Sequence, residues 1–439
     1  MNLLILFIFL AGYLCIALEH ILKINKSGIA LLMSVVSWGI YAICTSSDTL
    51  ISKFSCHVYD TCETILFLMG AMTIVAVIDT YGGFDFVTNH MRSKSTKQLL
   101  WKTAALTFFL SALLDNMTTC IVMIMVLRKI IEDKPTRLMF AGITIIAANA
   151  GGTFSPIGDV TTIMLWIKGC ISAEGVITHL FVPSVVSLII PAICVMPMLK
   201  HNMATTTFSG SQFKNQSMAS TLSRKIIFFI GIIGLILVPV LRSITGLPPF
   251  LFVMGVLALL WISTEIMIRF DNKIKTVGDE RTKVSSIIAT IDMSTILFFL
   301  GILLTVGALD ETGMLSQFGQ WLRSTLHNVY LINVVIGILS SIIDNVPLVA
   351  STMGMYQIEP SSAIGDLQYY CQDGTFWQLL AYCSGTGGSI LIIGSAAGVV
   401  VMGMEKISFS WYLKRFTWLA LLGYFAGILA YALIAFLFI

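Results

Sequence analysis

The 439 residues are 57% hydrophobic and only 11% charged, whereas a soluble domain is about 25% charged. The net charge of +3 is too small to indicate nucleic acid as a partner. The composition therefore predicts an all-α polytopic membrane protein that lies in a lipid bilayer and has no separate soluble domain.

Apolar stretches close to the length of a membrane-spanning helix follow one another along the chain. The predicted spans are residues 3–18, 27–45, 63–78, 177–199, 226–241, 248–268, 285–309 and 416–439. The first stretch has neither the basic start nor the small-residue cleavage site of a signal peptide, so it is predicted to be the first span. The predicted divisions are N-terminal transmembrane helices (1–62), a first repeat (63–200), cytoplasmic loops with linking helices (201–284) and a second repeat (285–439).

The basic residues predict the orientation of the chain. If the chain changes sides at each span, all but four of its 26 Lys and Arg residues fall on one side. The exceptions are Lys53, Lys168, Arg242 and Arg323. The positive-inside rule makes the rich side cytoplasmic, so both termini are predicted to be external in a multi-pass protein of the cell inner membrane. This count requires residues 103–131 to enter and leave on the same side.

Two Asp-Asn pairs interrupt apolar sequence, "SALLDNMTTC" at Asp115-Asn116 and "SSIIDNVPLVA" at Asp344-Asn345. An Asp at this depth costs at least about 2.5–3.5 kcal/mol, which makes it a functional candidate. The arms around the first pair, of about 12 and 15 residues, are too short to cross a core of about 30 Å. Residues 103–131 and 328–358 are each predicted to form a re-entrant helical hairpin with the Asp-Asn pair at its tip.

Two glycine-rich segments, "NAGGTFSPIGDVTT" (149–162) and "GTGGSILIIGSAAG" (385–398), interrupt sequence that would otherwise be helical. They predict broken helices over residues 136–168 and 375–404. The glycines that define the breaks are Gly151, Gly152, Gly158, Gly387, Gly388 and Gly394. Non-helical backbone inside a membrane must be buried in protein or line a polar cavity, where its carbonyls and the helix ends can coordinate an ion.

The motifs recur in the same order in the two halves. "VIDTYGG" with Asp79 precedes the first hairpin, and "ALDETGM" with Asp310 precedes the second. The spacing is 231 residues from 79 to 310, 229 from 115 to 344, and 236 from 151 to 387. This pattern predicts a duplication whose halves have opposite orientations in the membrane, as in many secondary transporters.

The two tip carboxylates, Asp115 and Asp344, are the main candidates for binding an ion. The alternative is that each caps the helix that follows it, and the two roles are compatible. Asp159, where the second half has Ser395, is equally consistent with a third ligand or proton carrier and with a helix cap. Neutral oxygen ligands are predicted at Asn116, Thr118, Thr119, Asn149, Ser155, Asn345, Thr386 and Ser389. The nine cysteines have no metal-ligand spacing, and pairing of Cys56 with Cys62 in a predicted external loop stays open.

The strings "LLDNMTT", "NAGGTFSPIGDVTT", "IIDNVPLVASTMGMY" and "FWQLLAYCSGTGGSILIIGSAAGVVVMGMEKISF" resemble the NhaD-type sodium/proton antiporters. These belong to the ion transporter superfamily, with arsenite pumps and dicarboxylate/sodium symporters. The resemblance implies export of Na⁺, and usually Li⁺, in exchange for H⁺, without a cofactor or enzymatic activity, and it favours a homodimer. Na⁺ bound at Asp115 and Asp344 would compete there with protons, because burial favours the protonated form of a carboxylate.

Two alternatives remain at this stage. One is a transporter of organic anions or arsenite from the same superfamily, for which neutral or basic tip residues would be expected. The other is an intramembrane aspartyl protease, suggested by "PIGD" at 156–159. The protease is the weaker alternative, because Pro156 occupies the first glycine position of its motif and the repeat would have no explanation.

Overall fold

The computed structural model describes residues 1–17, 23–45, 50–83, 91, 93, 95–199, 221–270, 283–342 and 344–438. In the described part of the chain the regular structure is mostly α-helical, with short 3-10 helices at Met196–Met198 and Gly365–Tyr370 and an isolated β-bridge between Glu359 and Cys371. Among the described residues, seven helices are long and apolar enough to cross a membrane. An eighth span is formed if the pair Met314–Leu326 and Val329–Ser340, bent by 120°, is counted as one. The protein is a polytopic membrane protein, as the composition predicts.

The first half begins with three helices and continues with two interrupted units. Its helices are α1 (Asn2–Ala17), α2 (Lys26–Cys44), α3 (Leu50–Thr80), α4 (Thr96–Leu114), α5 (Asn116–Ile130), α6 (Lys134–Thr153), α7 (Val160–Ile167) and α8 (Ala173–Val195). Helices α4 and α5 are separated by Asp115 alone, and α6 and α7 by residues 154–159. The interruptions therefore coincide with the first Asp-Asn pair and the first glycine-rich segment.

The second half follows two linking helices. Its elements are α9 (Thr221–Thr245), α10 (Pro249–Phe270), α11 (Val284–Ile288), α12 (Met293–Glu311), α13 (Met314–Leu326), α14 (Val329–Ser340), α15 (Asn345–Met355), α16 (Thr375–Gly387), α17 (Ala396–Glu405), α18 (Phe409–Arg415) and α19 (Thr417–Phe438). Helices α14 and α15 are interrupted before the second Asp-Asn pair. Helices α16 and α17 are interrupted at the second glycine-rich segment.

Three predicted boundaries differ from the structure. Helix α3 begins at Leu50, so the predicted boundary at residue 62 falls inside a helix. Helix α4 begins at Thr96, before the predicted start at 103, because its polar first turns contain lysines, which are good helix formers. The span predicted over 285–309 is two helices, since Asp292 accepts hydrogen bonds from the backbone N–H groups of Ser294 and Thr295 and so starts α12 anew.

The external loop predicted around Cys56 and Cys62 is wrong, because both residues lie in α3. Six residues along one helix correspond to a rise of about 9 Å. Disulfide-bonded residues rarely have Cα atoms more than about 7 Å apart. Both cysteines are free thiols, which closes the question of a disulfide between them.

Equivalent residues of the two halves make equivalent contacts. The Ser111 hydroxyl donates to the carbonyl of Ala148 at 2.6 Å, and the Ser340 hydroxyl donates to the carbonyl of Ser384 at 2.7 Å. We call α4 with α5, and α14 with α15, the two Asp-Asn units. These bonds attach each Asp-Asn unit to the broken helix that follows it in sequence. The two donors are 229 residues apart (111 to 340), and the two acceptors are 236 residues apart (148 to 384). These are the spacings of the sequence motifs.

Glycines permit the same close approach in both halves. A Cβ atom on Gly151 would collide with the carbonyl oxygen of Phe108, and a Cβ atom on Gly387 would collide with that of Gly337. Any larger residue would push the arm that precedes the tip away from the broken helix. The glycines are therefore required for the packing of the interrupted units.

These contacts predict a sharp difference between glycine substitutions. Gly151→Ala and Gly387→Ala should each lower the free energy of unfolding by about 1–3 kcal/mol, the usual effect of overpacking. The control is Gly403→Ala in α17, where an added Cβ meets no atom within 4 Å and replacing a helical glycine should stabilise the protein. Thermal unfolding in detergent measures all three. Equal melting temperatures for the three variants would contradict the assigned packing.

Candidate functional site

The carboxylate of Asp159 connects the two Asp-Asn units. Its Oδ2 atom accepts a hydrogen bond from the Asn116 amide at 3.1 Å and another from the Asn345 amide at 3.2 Å. Asp159 is 1% exposed. Asn116 and Asn345 begin α5 and α15, so a single buried oxygen atom holds both units together.

Asn149 of α6 extends this connection to the second broken helix. Its Oδ1 accepts from Asn116 at 3.1 Å, and its Nδ2 donates to the hydroxyls of Ser389 at 2.8 Å and Ser395 at 3.0 Å. We call the six residues the amide network: Asn116, Asn149, Asp159, Asn345, Ser389 and Ser395. Each of them is at most 5% exposed.

The contacts between the two broken helices are reciprocal. Asn149 of the first half contacts Ser395 of the second. In the opposite direction, Gly385 is the equivalent of Asn149, and Asp159 is the equivalent of Ser395. A Cβ atom added to Gly385 would lie 3.5 Å from Oδ2 of Asp159. Each broken helix therefore contacts the interruption of the other, but only the first of the two broken helices supplies an amide and a carboxylate.

Asp159 is a helix cap as well as a network member. Its Oδ1 accepts from the backbone N–H of Thr161 at 3.3 Å, and Thr162 completes a capping box by accepting from the Asp159 N–H. The two interpretations of Asp159 from the sequence are therefore not exclusive. One carboxylate oxygen caps α7, and the other joins the two Asp-Asn units.

The tip aspartates lie beside the network and do not belong to it. Asp115 accepts from the backbone N–H and the hydroxyl of Thr118, both at 2.7 Å, with a φ angle of +112° that is rare outside glycine. Asp344 accepts from the Val346 N–H at 3.3 Å. The charges of both interact with that of Asp159. In the part of the chain that the structure describes, however, no three His, Cys, Asp or Glu side chains converge to surround a metal ion.

The other predicted ligands divide into two groups. The Ser155 hydroxyl donates to the Ala112 carbonyl at 2.6 Å, and that of Thr386 donates within its own helix to Tyr382, so both have structural partners. The Thr119 hydroxyl is buried and has no hydrogen-bond partner among the described residues. The same holds for Thr161, beside Asp159. Buried hydroxyls without partners are uncommon and indicate an available ligand.

Two charged contacts were missed by sequence analysis. The Nζ atom of Lys26 lies 3.3 Å from Oδ2 of Asp344. Oε1 of Glu405 lies 2.7 Å from Nε of Arg128, and Oε2 lies 2.9 Å from Nε of Arg137. These ion pairs connect the end of α17 to the first half of the chain. The partners are more than 260 residues apart in sequence, and no local pattern pairs them.

The amide network can bind a cation or a proton but lacks the means to attract an anion. Its members offer a carboxylate, amide oxygens and hydroxyls, the oxygen ligands found in ion sites at helix interruptions. None of the six carries a positive charge. A buried carboxylate near two others is stabilised by binding a cation or a proton.

Comparison with known proteins identifies the class. Residues 5–368 match the family described as citrate transporter. The chain is 42% identical to sodium/proton antiporter 1 of Arabidopsis thaliana over 421 residues, covering 96% of this chain and 70% of that protein. It is 41% identical to sodium/proton antiporter 2 of the same plant, with 96% of both covered. It is 30% identical to Na⁺/H⁺ antiporter NhaD of Vibrio cholerae, with 98% of this chain and 91% of that protein covered.

The fold and these relatives define a membrane transporter and not an enzyme, so the aspartyl protease alternative is excluded. The chain belongs to the NhaD-type sodium/proton antiporter family, within the broader family described as citrate transporter. The family resemblance seen in the sequence motifs is thereby confirmed.

Proposed function

We propose that the protein is a secondary active transporter that exchanges Na⁺, and Li⁺ as well, for H⁺ and so serves pH homeostasis. The observation that carries the proposal is the buried Asp159 carboxylate, whose Oδ2 accepts hydrogen bonds from the asparagine amides of both Asp-Asn units. The sodium/proton antiporters among the relatives support the same choice of ions.

In the proposed mechanism, cation and proton compete for the same carboxylates. Na⁺ binds at Asp115 in the first half and at Asp344 in the second, and Asp159 links the two through the asparagine amides. Hydroxyl and amide oxygens complete the coordination, with Thr118 and Thr119 beside the first tip and Ser389 beside the second broken helix. A protonated carboxylate cannot hold Na⁺, so shared sites couple the two flows without a separate relay.

We further propose that the two halves of the chain form an inverted repeat, with one re-entrant hairpin made by α4 and α5 and the other by α14 and α15. The matching contacts at constant spacing and the reciprocal contacts of the broken helices support this arrangement. The proposal includes external termini, the cell inner membrane and a homodimer. Most of the loops assigned to the cytoplasm in the linking region, 201–220 and 271–282, lie outside the described residues.

An organic anion such as citrate, suggested by the name of the broader family, fits the site poorly. Three carboxylates would repel it, and the asparagine amides already donate to Asp159 or to hydroxyls. Among the described residues the one basic side chain paired with a tip is Lys26, which Asp344 neutralises. Vesicles that release protons on addition of Na⁺ or Li⁺, and not of K⁺ or citrate, would discriminate between the two substrates.

The opposite orientations of the halves predict opposite accessibility. In a chain whose cysteines are replaced by serine, Ser93→Cys should react with an impermeant maleimide only from the cytoplasm and Ser361→Cys only from outside. Ser93 precedes the first Asp-Asn unit and Ser361 follows the second. Labelling of both from one face in intact cells would rule out the inverted repeat.

The three carboxylates should be individually necessary. Asp115→Asn and Asp344→Asn keep the size and the capping oxygen but cannot be deprotonated, so Na⁺-dependent proton movement should fall to background. Asp159→Ser, which copies Ser395, keeps a good helix cap and should also lose exchange. Proton release from everted vesicles measures the rates.

Asp79→Asn is the matched control, because Asp79 is exposed at the end of α3 and should retain exchange. Detergent-extracted yield and monodispersity show that each variant has folded. Substantial exchange in Asp115→Asn and Asp344→Asn would leave those carboxylates as helix caps alone.

Competition predicts a specific pH dependence. Acidification should raise the apparent KM for Na⁺ while the maximal rate is recovered at high Na⁺, because protonation empties the site without destroying it. A distant histidine sensor would instead lower the maximal rate near pH 6.5, about the usual imidazole pKa. Initial rates against Na⁺ concentration at several pH values, with the pH gradient fixed, decide the matter, and a pH-independent KM would contradict the shared site.

A further inference from the structure

Lys26 lies where it can act on the second tip from outside the amide network. Its ammonium is 3.3 Å from Oδ2 of Asp344 and 4.4 Å from the centre of the Phe298 ring. The pair faces a cavity of about 370 Å³ between α1, α2, the start of α12 and the two tips. The ammonium therefore has two favourable partners within a short movement, a carboxylate and an aromatic face.

Local structure gives no reason for a lysine at this position. Lys26 is the first residue of α2, after the cap Asn25. A positive charge at the start of a helix is on the unfavourable side of the helix dipole. The contact with Asp344, 318 residues away, compensates for this placement.

The Lys26–Asp344 pair has the properties of an exchangeable contact. Its side chains are 25% and 16% exposed, and one ammonium contacts one oxygen atom. Glu405, in contrast, has a side chain that is 1% exposed and receives a guanidinium on each oxygen. A pair reached by water is weaker than a buried pair with two partners, so only the former can open during a transport cycle.

We propose that the Lys26 ammonium is a built-in competitor that occupies the Asp344 carboxylate whenever no transported cation or proton is bound there. This inference rests on the proposed function. On arrival of Na⁺, the ammonium leaves Asp344 and remains over Phe298. When Na⁺ departs, the ammonium returns, and Asp344 is never left as an unpaired anion.

The two tips then differ in a defined way. Asp115 has no basic partner in the described part of the chain. Its Oδ2 atom, which does not cap the helix, accepts a hydrogen bond from the neutral Thr118 hydroxyl. Asp115 therefore needs a cation or a proton when Na⁺ leaves, whereas Asp344 needs neither. The other titratable groups near Asp344 are Tyr13 of α1, Asp292 before α12 and the buried Asp159, and none of the three supplies a positive charge.

The test is a set of charge variants at Lys26, assayed in proteoliposomes. Lys26→Gln removes the competitor, so the apparent KM for Na⁺ should fall about fivefold, which corresponds to about 1 kcal/mol. Lys26→Arg retains the charge, and its KM should stay at or above the wild-type value. Lys23→Gln removes a charge from the same segment, where Lys23 has no ion pair among the described residues, and should leave KM unchanged.

A second readout separates competition from a structural role. The fold increase in KM on acidification should be larger in Lys26→Gln than in the wild type, because protons are then the sole competitor for Asp344. Calorimetric titration of the purified variants with NaCl gives the same comparison without transport. Should Lys26→Gln fail to fold, Lys26→Arg still tests the proposal, since a retained competitor predicts Na⁺ binding no tighter than in the wild type and an equal or smaller acid effect, and tighter binding would overturn it.

The outcomes distinguish this proposal from the proposed function. An unchanged or increased KM in folded Lys26→Gln overturns the competitor, whatever the role of Asp344. Asp344→Asn in the presence of Lys26 tests the carboxylate itself, and full exchange in that variant would overturn the role of Asp344 in the proposed function. Loss of exchange in Asp344→Asn together with an unchanged KM in Lys26→Gln would remove only the inference about Lys26.

Discussion

The arrangement of the interrupted helices depends on one buried oxygen atom, Oδ2 of Asp159. Both asparagine amides that donate to it come from the first residue of a helix that follows a tip. An unpartnered buried amide or carboxylate is costly, so these three groups fix the positions of the two tips relative to the first broken helix. The close contacts at Gly151 and Gly387 allow that approach, because larger residues would separate each arm from the broken helix beside it.

The two halves of the chain make matching contacts but differ in their polar groups. Equivalent serines make equivalent hydrogen bonds in both halves, and the glycines that end α3 and α12 have nearly the same left-handed conformation, with φ of 76° at Gly82 and 72° at Gly313. The polar groups differ, since Asn149 and Asp159 correspond to Gly385 and Ser395. The matching contacts of the two halves thus surround unequal polar groups, and the first half supplies the central carboxylate.

The sequence predicts the positions of the interruptions well, because their cause is local. Glycine and aspartate within apolar helical sequence have few explanations inside a membrane, and the helices do stop at Asp115 and near Gly152, Asp344 and Gly388. Local sequence does not predict which tip residue points to the centre. The cost of burying charge directs attention to the aspartates, yet the cap geometry turns Asp115 back onto Thr118 and leaves the neighbouring asparagine to reach Asp159. Contacts between distant segments, such as Lys26 with Asp344, have no local signal at all.

In each of the three carboxylates, the two oxygen atoms have different kinds of partner. In Asp115, Asp159 and Asp344, one oxygen accepts from a backbone N–H at the start of the following helix. The second oxygen has a different partner in each case: a hydroxyl, two amides and an ammonium. Capping and ion binding therefore need not compete, because a cation that displaces the second partner leaves the cap intact. The helix N-terminus also stabilises the carboxylate charge, so each position keeps an anion available while the helix holds its geometry. Because the second partner is a hydroxyl in one case, two amides in another and an ammonium in the third, a cation that bound at each carboxylate would have a different group to displace.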